Sequence, residues 1–399
     1  MNEPVQRPTR DRCPGVVDPH PAADGALARI RLLGGALTPT QMQTLAQVSA
    51  EFGDGFLELT ARANIQVRGI ADVDAVAERL TAAGLLPGGD REKIRNIDVS
   101  SLTGRISGHI DVRDLAEALD AALRTDHGLT GLSGRFLFGV DDGRGDVVAR
   151  RPDVCAVVRP GAHLGTLSPA DILIDGTPAG SVADRSDAPS AMIDVARDMV
   201  RIAAAAESGS RRPWRVRDLD AGGRNDLIGS ARARLATSAA APDAAETVRA
   251  PSAPVVGWFE QDDGLVLLGA VVELGRLPAR PAEFLAAIGA PIIVTPDREI
   301  LICDLTEGAA ETVVRVLAPM GVIFDADSPW VKVSSCAGAP GCGKSHAPVR
   351  ADVAQRIDSD VAVTEREHWV GCARGCGSPA QSHMRVEAGP GGYRRQRIG

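Results

Sequence analysis

Val99-Ser100-Ser101-Leu102-Thr103-Gly104 returns late in the chain as Val333-Ser334-Ser335-Cys336-Ala337-Gly338. Two more matches keep the same order at a nearly constant offset. Thr60 and Ile65 fall on Thr295 and Ile300, and Gly35-Ala36-Leu37 falls on Gly275-Arg276-Leu277. Each match alone is weak, but three in register indicate an internal duplication. A duplicated chain is expected to form a pseudo-twofold molecule with a cleft between its halves, and clefts of that kind bind ligands. Leu102 stands where the second copy has Cys336, so any thiolate chemistry at this position belongs to the second half alone.

The surrounding sequence gives each half a similar grammar. Ala26–Leu33 alternates apolar and polar residues, Thr40–Phe52 has a helical pattern, Gly55–Gly69 reads as one or two strands, and Val73–Ala83 as a further helix. Leu265–Val272, Pro281–Ile288, Ile292–Cys303 and Glu307–Leu317 repeat that order. Between them, Arg113–Leu123 and Pro189–Glu207 are predicted helices, the second with Met192, Val195, Met199 and Ile202 on one face. Strands alternating with packed helices at this size predict an α+β fold of ferredoxin-like α/β sandwich halves. The expected organisation is an N-terminal arm (1–24), a first half-domain (25–88), an α+β domain without clustered cysteines (89–235), an Ala/Pro-rich linker (236–254), a second half-domain (255–325) and a cysteine-bearing α+β domain (326–399).

Composition narrows the function classes. The 399 residues carry a formal net charge of −8, the wrong balance for a non-specific nucleic-acid binder. No apolar run is long enough to span a bilayer and the polar N-terminus has no secretory core, so a cytoplasmic protein without a membrane partner is expected. The only lysines are Lys93, Lys332 and Lys344, so an anion site here would be built mostly from guanidinium groups, which grip carboxylates in a bidentate manner. Seven cysteines without an export signal argue against a disulfide framework.

Four of those cysteines are clustered as Cys336-x5-Cys342 and Cys372-x3-Cys376. Four thiolates can close a tetrahedral zinc site or hold an iron–sulfur cubane. Zinc ribbons favour two-residue spacings, whereas spacings of five and three suit a larger object. Glycines and prolines around both pairs let backbone amides turn toward sulfur. An iron–sulfur cluster is thus the leading expectation, with zinc or unliganded thiols as alternatives. Cys13, Cys155 and Cys303 are expected to be ordinary thiols. His346, His368 and His383, near the cluster in sequence, are expected to be packed or solvated, because four thiolates already complete the set.

The first half offers a different constellation. Arg62, Asn64, Gln66 and Arg68 alternate along Thr60–Arg68, which would place them on one face of an extended strand, with Leu59, Ile65 and Val67 on the other. That pattern fits the wet side of a sheet, but two arginines with Asn and Gln also suit an anionic ligand. Arg95, Asn96 and Arg135 follow downstream.

Taken in order, Thr60-x-Arg62-x3-Gln66, Arg95-Asn96-Ile97 and the two cysteine pairs are similar to the sulfite and nitrite reductase superfamily. The resemblance implies an internally duplicated, pseudo-twofold fold with a [4Fe-4S] cluster on Cys336, Cys342, Cys372 and Cys376 beside a bound tetrapyrrole. It also implies that Arg62, Arg95 and Arg135 contact the tetrapyrrole carboxylates. Within the superfamily, Arg12-Cys13-Pro14-Gly15, Leu59–Gly69, Trp214–Leu219 and Gly371–Pro379 look most like the precorrin-3B synthase family of aerobic cobalamin synthesis. That family resemblance implies an oxidoreductase of the monooxygenase type. It would hydroxylate precorrin-3A at C20 with O2, close a γ-lactone, and draw on an electron donor such as a reductase, a ferredoxin or an NAD(P)H-linked system. It also implies a mononuclear non-haem iron, for which no two-His-one-carboxylate spacing is visible and His109, His127 and His163 are the candidates in the first half. Arg135 and Leu137 stand where sirohaem reductases carry two lysines, and His383 stands where they prefer an acid. The alternatives are a sirohaem-dependent sulfite or nitrite reductase using Cys376, and a non-catalytic iron–sulfur or zinc protein.

Overall fold

Residues 11, 13–87, 89–107, 110–159, 168–206, 212–235, 253–359 and 362–399 are described by a computed structural model. Most of the expected linker, together with Arg12, His109 and His163, lies outside the described residues. The chain divides into two units, Pro14–Leu86 with Ala253–Gly399, and Pro87–Ser252 with the segment ending at Cys13.

The first of these begins with β1 (His20–Ala22), β2 (Gly25–Ile30) and β3 (Ala36–Leu37). Thr38 then starts α1 (Pro39–Phe52) with a capping box. Its hydroxyl accepts from the Gln41 amide, Gln41 Oε1 accepts from the Thr38 amide, and Pro39 presets the first helical φ. β4 (Phe56–Leu59), β5 (Ile65–Ile70) and α2 (Val73–Ala82) complete this stretch.

The other unit contains β6 (Ile97–Val99), α3 (Arg113–Thr125), β7 (Phe138–Asp141), β8 (Val154–Val158), β9 (Ala170–Ile174), β10 (Thr177–Val182), α4 (Ala188–Ala205) and α5 (Ala221–Arg234). The chain then returns to the first unit with β11 (Gly257–Glu260), β12 (Val266–Ala270), β13 (Arg276–Pro278), α6 (Ala279–Ala287), β14 (Ile292–Val294), β15 (Ile300–Leu305), α7 (Glu307–Leu317), β16 (Val333–Ser335), α8 (Val349–Asp358), β17 (Glu367–Val370), β18 (His383–Gly389) and β19 (Gly392–Ile398).

The strand orders display the duplication. One sheet runs β1-β2-β5-β4-β13 and another β11-β12-β15-β14-β3. The order is the same in both, except that each sheet takes its last strand from the opposite half of the sequence. The exchanged strands β3 and β13 are the segments that follow the matched glycines Gly35 and Gly275, and both glycines have left-handed backbone (φ 77 and 67). One hydrophobic core serves both halves, joining Ile30, Leu45 and Ile65 to Leu285, Ile292 and Ile302. The remaining sheets, β10-β9-β8-β7-β6 and β16-β17-β18-β19, share a second pattern. β6-β7-β8 and β16-β17-β18 are parallel, and β9 and β19 then add antiparallel.

Two strand readings are corrected. Thr60–Arg68 is not one extended strand: residues 60–64 form the turn of the β4-β5 hairpin, because Thr60 Oγ1 accepts the amides of Arg62 and Asn64 at 3.3 and 3.0 Å and Ala63 adopts φ 52. Ile292–Cys303 likewise breaks at its matched position. There Thr295 Oγ1 accepts the amides of Asp297 and Glu299 at 3.2 Å each, and Arg298 adopts φ 65.

Glu299 closes the second hairpin as a buried carboxyl, accepting from Val255 N–H and Thr295 Oγ1. Burial, with Asp297 nearby, pushes its pKa up to about 7. A raised acid favours the folded state fully below its unfolded value near 4.5 and loses that contribution as pH rises through about 7. Stability should therefore fall across that window by up to roughly 3 kcal/mol. Glu299→Gln should flatten the decline in urea unfolding measured from pH 4.5 to 8; an unaltered slope would remove Glu299 as its source.

Candidate metal centre

The four clustered cysteines lie in loops at the ends of neighbouring parallel strands. Cys336 follows β16, and Cys372 and Cys376 follow β17; Val333 pairs with Glu367 and Ser335 with Trp369. Cys342 sits in the loop after Cys336, its amide donating to Gly338 O at 2.8 Å. His346 N–H bonds Gly371 O at 2.8 Å and so ties the two loops together. Gly371 must lack a side chain, since a Cβ there would lie 1.8 Å from Ser345 Oγ. Its amide donates to Cys336 Sγ at 3.2 Å.

Burial is the largest cause that raises the Cys336 thiol above its ordinary value; the Gly371 and Gly338 amides oppose it, and the Cys372 and Cys342 charges add to it. Cys376 is also raised, by burial first and then by Cys336, Cys372 and Cys342. Four thiols that repel one another's charge are unfavourable as thiolates unless a cationic centre sits among them. Among the described residues, the one trio of ligand atoms within 4.8 Å of one another is Asp141, Asp142 and Asp146, not a cysteine set. A single zinc would need thiolates about 3.8 Å apart at 2.3 Å bonds, and no three of the cysteine sulfurs lie within 4.8 Å of one another. Ser335 Oγ on β16, and His383 Nε2 and Arg385 Nε on β18, are buried without hydrogen-bond partners. The residues present therefore fit an iron–sulfur cluster. A small solvent-open hollow beside β16 is lined by Gly275, Asp297, Arg298, Lys332, Ser334 and Arg366.

The Asp trio does not fit a second iron. Asp141 accepts the amides of Gly143, Gly145, Val147 and Val148, Asp142 is held by Arg144, and Asp146 by Ser100. His127 Nδ1 meets Arg91 at 3.0 Å. No described set offers the two-His-one-carboxylate arrangement.

The predicted arginine constellation is divided between the two units. Arg62, Asn64, Gln66 and Arg68 belong with the cysteines, and Arg95, Asn96 and Arg135 belong to the other unit. Arg62 is half-buried in the hairpin turn. Asn64 is buried and accepts from Leu32 N–H at 2.9 Å. Gln66 bridges Arg29 and Glu58. Arg68 grips Asp24 with two bonds and donates to Gly341 O at 2.8 Å, fastening the loop that carries Cys342. Arg95 is buried against Asp120 at 2.6 Å, and Asn96 donates to Lys93 O and Gly134 O. Arg135 is 47% exposed, paired with Asp11 and stacked on Trp214 at 4.6 Å.

Cys13, Cys155 and Cys303 are buried thiols. His368 and His383 are packed side chains with their rings 6.0 Å apart. Sequence reasoning missed Glu58, a buried carboxylate met by Arg68, Arg276 and Arg350. It also missed Arg298, which donates to Gly377 O beside Cys376. Only the strand register could have exposed either.

Comparison with known proteins agrees with this architecture. Residues 20–83 match the nitrite/sulfite reductase ferredoxin-like half domain. Precorrin-3B synthase of Sinorhizobium sp. is 26% identical over 404 residues, covering 96% of this chain and 82% of that protein. Ferredoxin–nitrite reductase of Synechococcus elongatus is 24% identical over 393 residues, covering 88% and 74%. The structure of the Mycobacterium tuberculosis NirA protein matches in fold with a TM-score of 0.69 at 19% identity, across 93% of this chain and 73% of that one. No helix among the described residues is long and apolar enough to cross a membrane. With its exchanged half-sheets, the chain shares the fold of NirA and carries a nitrite/sulfite reductase ferredoxin-like half domain at residues 20–83.

Proposed function

We propose that this protein is a precorrin-3B synthase, hydroxylating precorrin-3A at C20 with O2 and closing a ring-A acetate into a γ-lactone in aerobic cobalamin synthesis. The observation that carries the reading is the four-cysteine set in the loops after β16 and β17, in a chain whose similarity to a precorrin-3B synthase spans 96% of its length. Arg135 and Leu137 in place of a lysine pair, and a buried His383 in place of an acid, favour it over reduction of an inorganic oxyanion.

The balance of the reaction explains what the chain must supply. One oxygen atom enters the macrocycle and the other leaves as water, so each turnover consumes two electrons from an external donor. A [4Fe-4S] cluster held by Cys336, Cys342, Cys372 and Cys376 would pass those electrons singly, which side chains cannot do. Arg62, in the unit that carries the cysteines, is the proposed clamp for a substrate carboxylate, and clamping fixes which meso carbon is presented for reaction. Arg68 acts one step back, holding Gly341 and hence the Cys342 loop.

Arg62→Ala should weaken precorrin-3A binding roughly 10- to 100-fold, the worth of a charged hydrogen bond, while the visible cluster spectrum stays the same. An unchanged affinity in a binding titration would remove Arg62 from the site. The decisive experiment incubates anaerobically purified protein with precorrin-3A and a reductant, admits O2, and weighs the product. A hydroxylated lactone supports the reading. The second reading, a sirohaem-dependent nitrite or sulfite reductase, is favoured by the similarity to ferredoxin–nitrite reductase. It requires a strong Soret and long-wavelength band in the purified protein, with no conversion of precorrin-3A.

A further inference from the structure

Two buried side chains grip the loop that carries Cys372 and Cys376. His368, on β17, is bonded at both ring nitrogens: Nε2 lies 3.0 Å from Cys376 O and Nδ1 2.8 Å from Ser334 Oγ. A carbonyl oxygen only accepts, so Nε2 carries the proton. Burial, with Arg298 nearby, pushes the ring's pKa down to about 3, and it stays neutral. Arg298, in the β14-β15 turn, donates through Nη2 to Gly377 O at 2.5 Å. Burial lowers its pKa to about 10, so it remains a cation at neutral pH.

The other half of the duplication shows what is particular to these two residues. The β4-β5 turn makes the same Thr-anchored conformation, yet carries Ala63 where the β14-β15 turn carries Arg298 (φ 52 and 65). A long side chain is uncommon in that left-handed conformation and strains the backbone there. The cation stands only in the repeat joined to the cysteine loops.

His368 has a counterpart as well. Val99 pairs with Val140 and Val333 with Glu367, so the next residues, Asp141 and His368, correspond. Asp141 consumes the amides of the loop that follows it, from Gly143 to Val148. His368 instead takes a carbonyl from the loop after its own strand. In the cysteine-bearing repeat the carbonyls are therefore held and the amides are left to turn toward sulfur. Gly371 N–H already does so at Cys336 Sγ, and a trans peptide turns Gly377 N–H away from His368.

We infer that His368 and Arg298 are positioning residues for the Cys376 limb: they hold its carbonyls outward, and the buried charge of Arg298 raises the reduction potential of the cluster. This inference rests on the cluster of the proposed function, and its test separates the two. Arg298→Gln keeps a donor for Gly377 O but removes the charge, Arg298→Lys keeps the charge, His368→Leu removes the donor to Cys376 O, and His368→Gln restores one. Each full-length variant is purified anaerobically and checked by circular dichroism. Iron and acid-labile sulfide are then counted, and the midpoint potential is read by EPR-monitored titration.

Arg298→Gln should move the midpoint to more negative potential with cluster content kept, and Arg298→Lys should stay near the parent value. His368→Leu should lose more than half of the iron and sulfide and change the EPR line shape, and His368→Gln should recover both. Folded Arg298→Gln and His368→Leu proteins with the parent's potential, content and line shape would overturn the assignment while leaving the cluster standing. A parent protein without iron and sulfide would overturn the cluster itself, and this inference with it. Should His368→Leu fail to fold, the two arginine variants still decide the electrostatic half, and His368→Gln with altered line shape would count against the positioning half.

Discussion

Replacing Cys336 or Cys372 by serine is expected to strip the protein of iron and acid-labile sulfide, and to lower turnover of precorrin-3A by more than about a hundredfold. In the proposed cluster site each residue supplies one corner of a four-thiolate set, and a serine hydroxyl is a harder, less acidic ligand that iron–sulfur cores seldom accept. The loss should be larger at Cys336, because its sulfur also receives the Gly371 amide at 3.2 Å, a bond that stabilises negative charge on the ligand. Cys303→Ser is the control. Cys303 is fully buried on β15, so a serine there should cost some stability but leave metal content alone. Colorimetric iron and sulfide assays, with the broad visible absorption of the cluster, give the answer. A full complement of iron in either Cys336→Ser or Cys372→Ser would show that the four thiols are not the ligand set.

Gly35→Ala is the second large effect expected, and it tests the strand exchange. Gly35 precedes β3, the short strand that crosses to the other half's sheet, and its carbonyl accepts from Val294 N–H at 2.9 Å. Its φ is 77, and a Cβ would lie 1.9 Å from Val294 O, a backbone atom that cannot swing aside without breaking β14. Left-handed strain and forced overpacking together should cost about 3 kcal/mol. Gly289 and Gly321 have the same backbone hand, φ 76 and 88, but a Cβ at either would have no neighbour within 4 Å, so alanine there should cost only about 1 kcal/mol. Urea unfolding of the three variants measures the difference. Equal costs at all three positions would show that β3 does not pack against β14 as described.

Local features of the fold were legible in the sequence to different depths. The helix at Glu307–Leu317 was readable because its apolar period is local, and the structure adds a cap at Thr306, whose side chain accepts the Ala309 amide. The duplication was readable because matched residues keep matched turns, as at Thr60 and Thr295. The exchange of β3 and β13 was not, since strands of two and three residues carry no periodicity, and their partners lie more than two hundred residues away. The polar residues divide in the same way. Asn64, Gln66 and Arg68 have the composition of an anion site, yet their partners Leu32, Arg29, Glu58, Asp24 and Gly341 are supplied by other elements.

The sequence by itself determined the duplicated α+β architecture, the two cysteine pairs and their confinement to one repeat, because spacing and periodicity are properties of neighbouring residues along a chain. Only the tertiary structure decided which charged groups are occupied inside the protein and which buried side chains hold the Cys376 loop. A hydrogen bond or ion pair is set by distance in space, and the chain folds remote residues such as Arg298 and Gly377 to within 2.5 Å of each other.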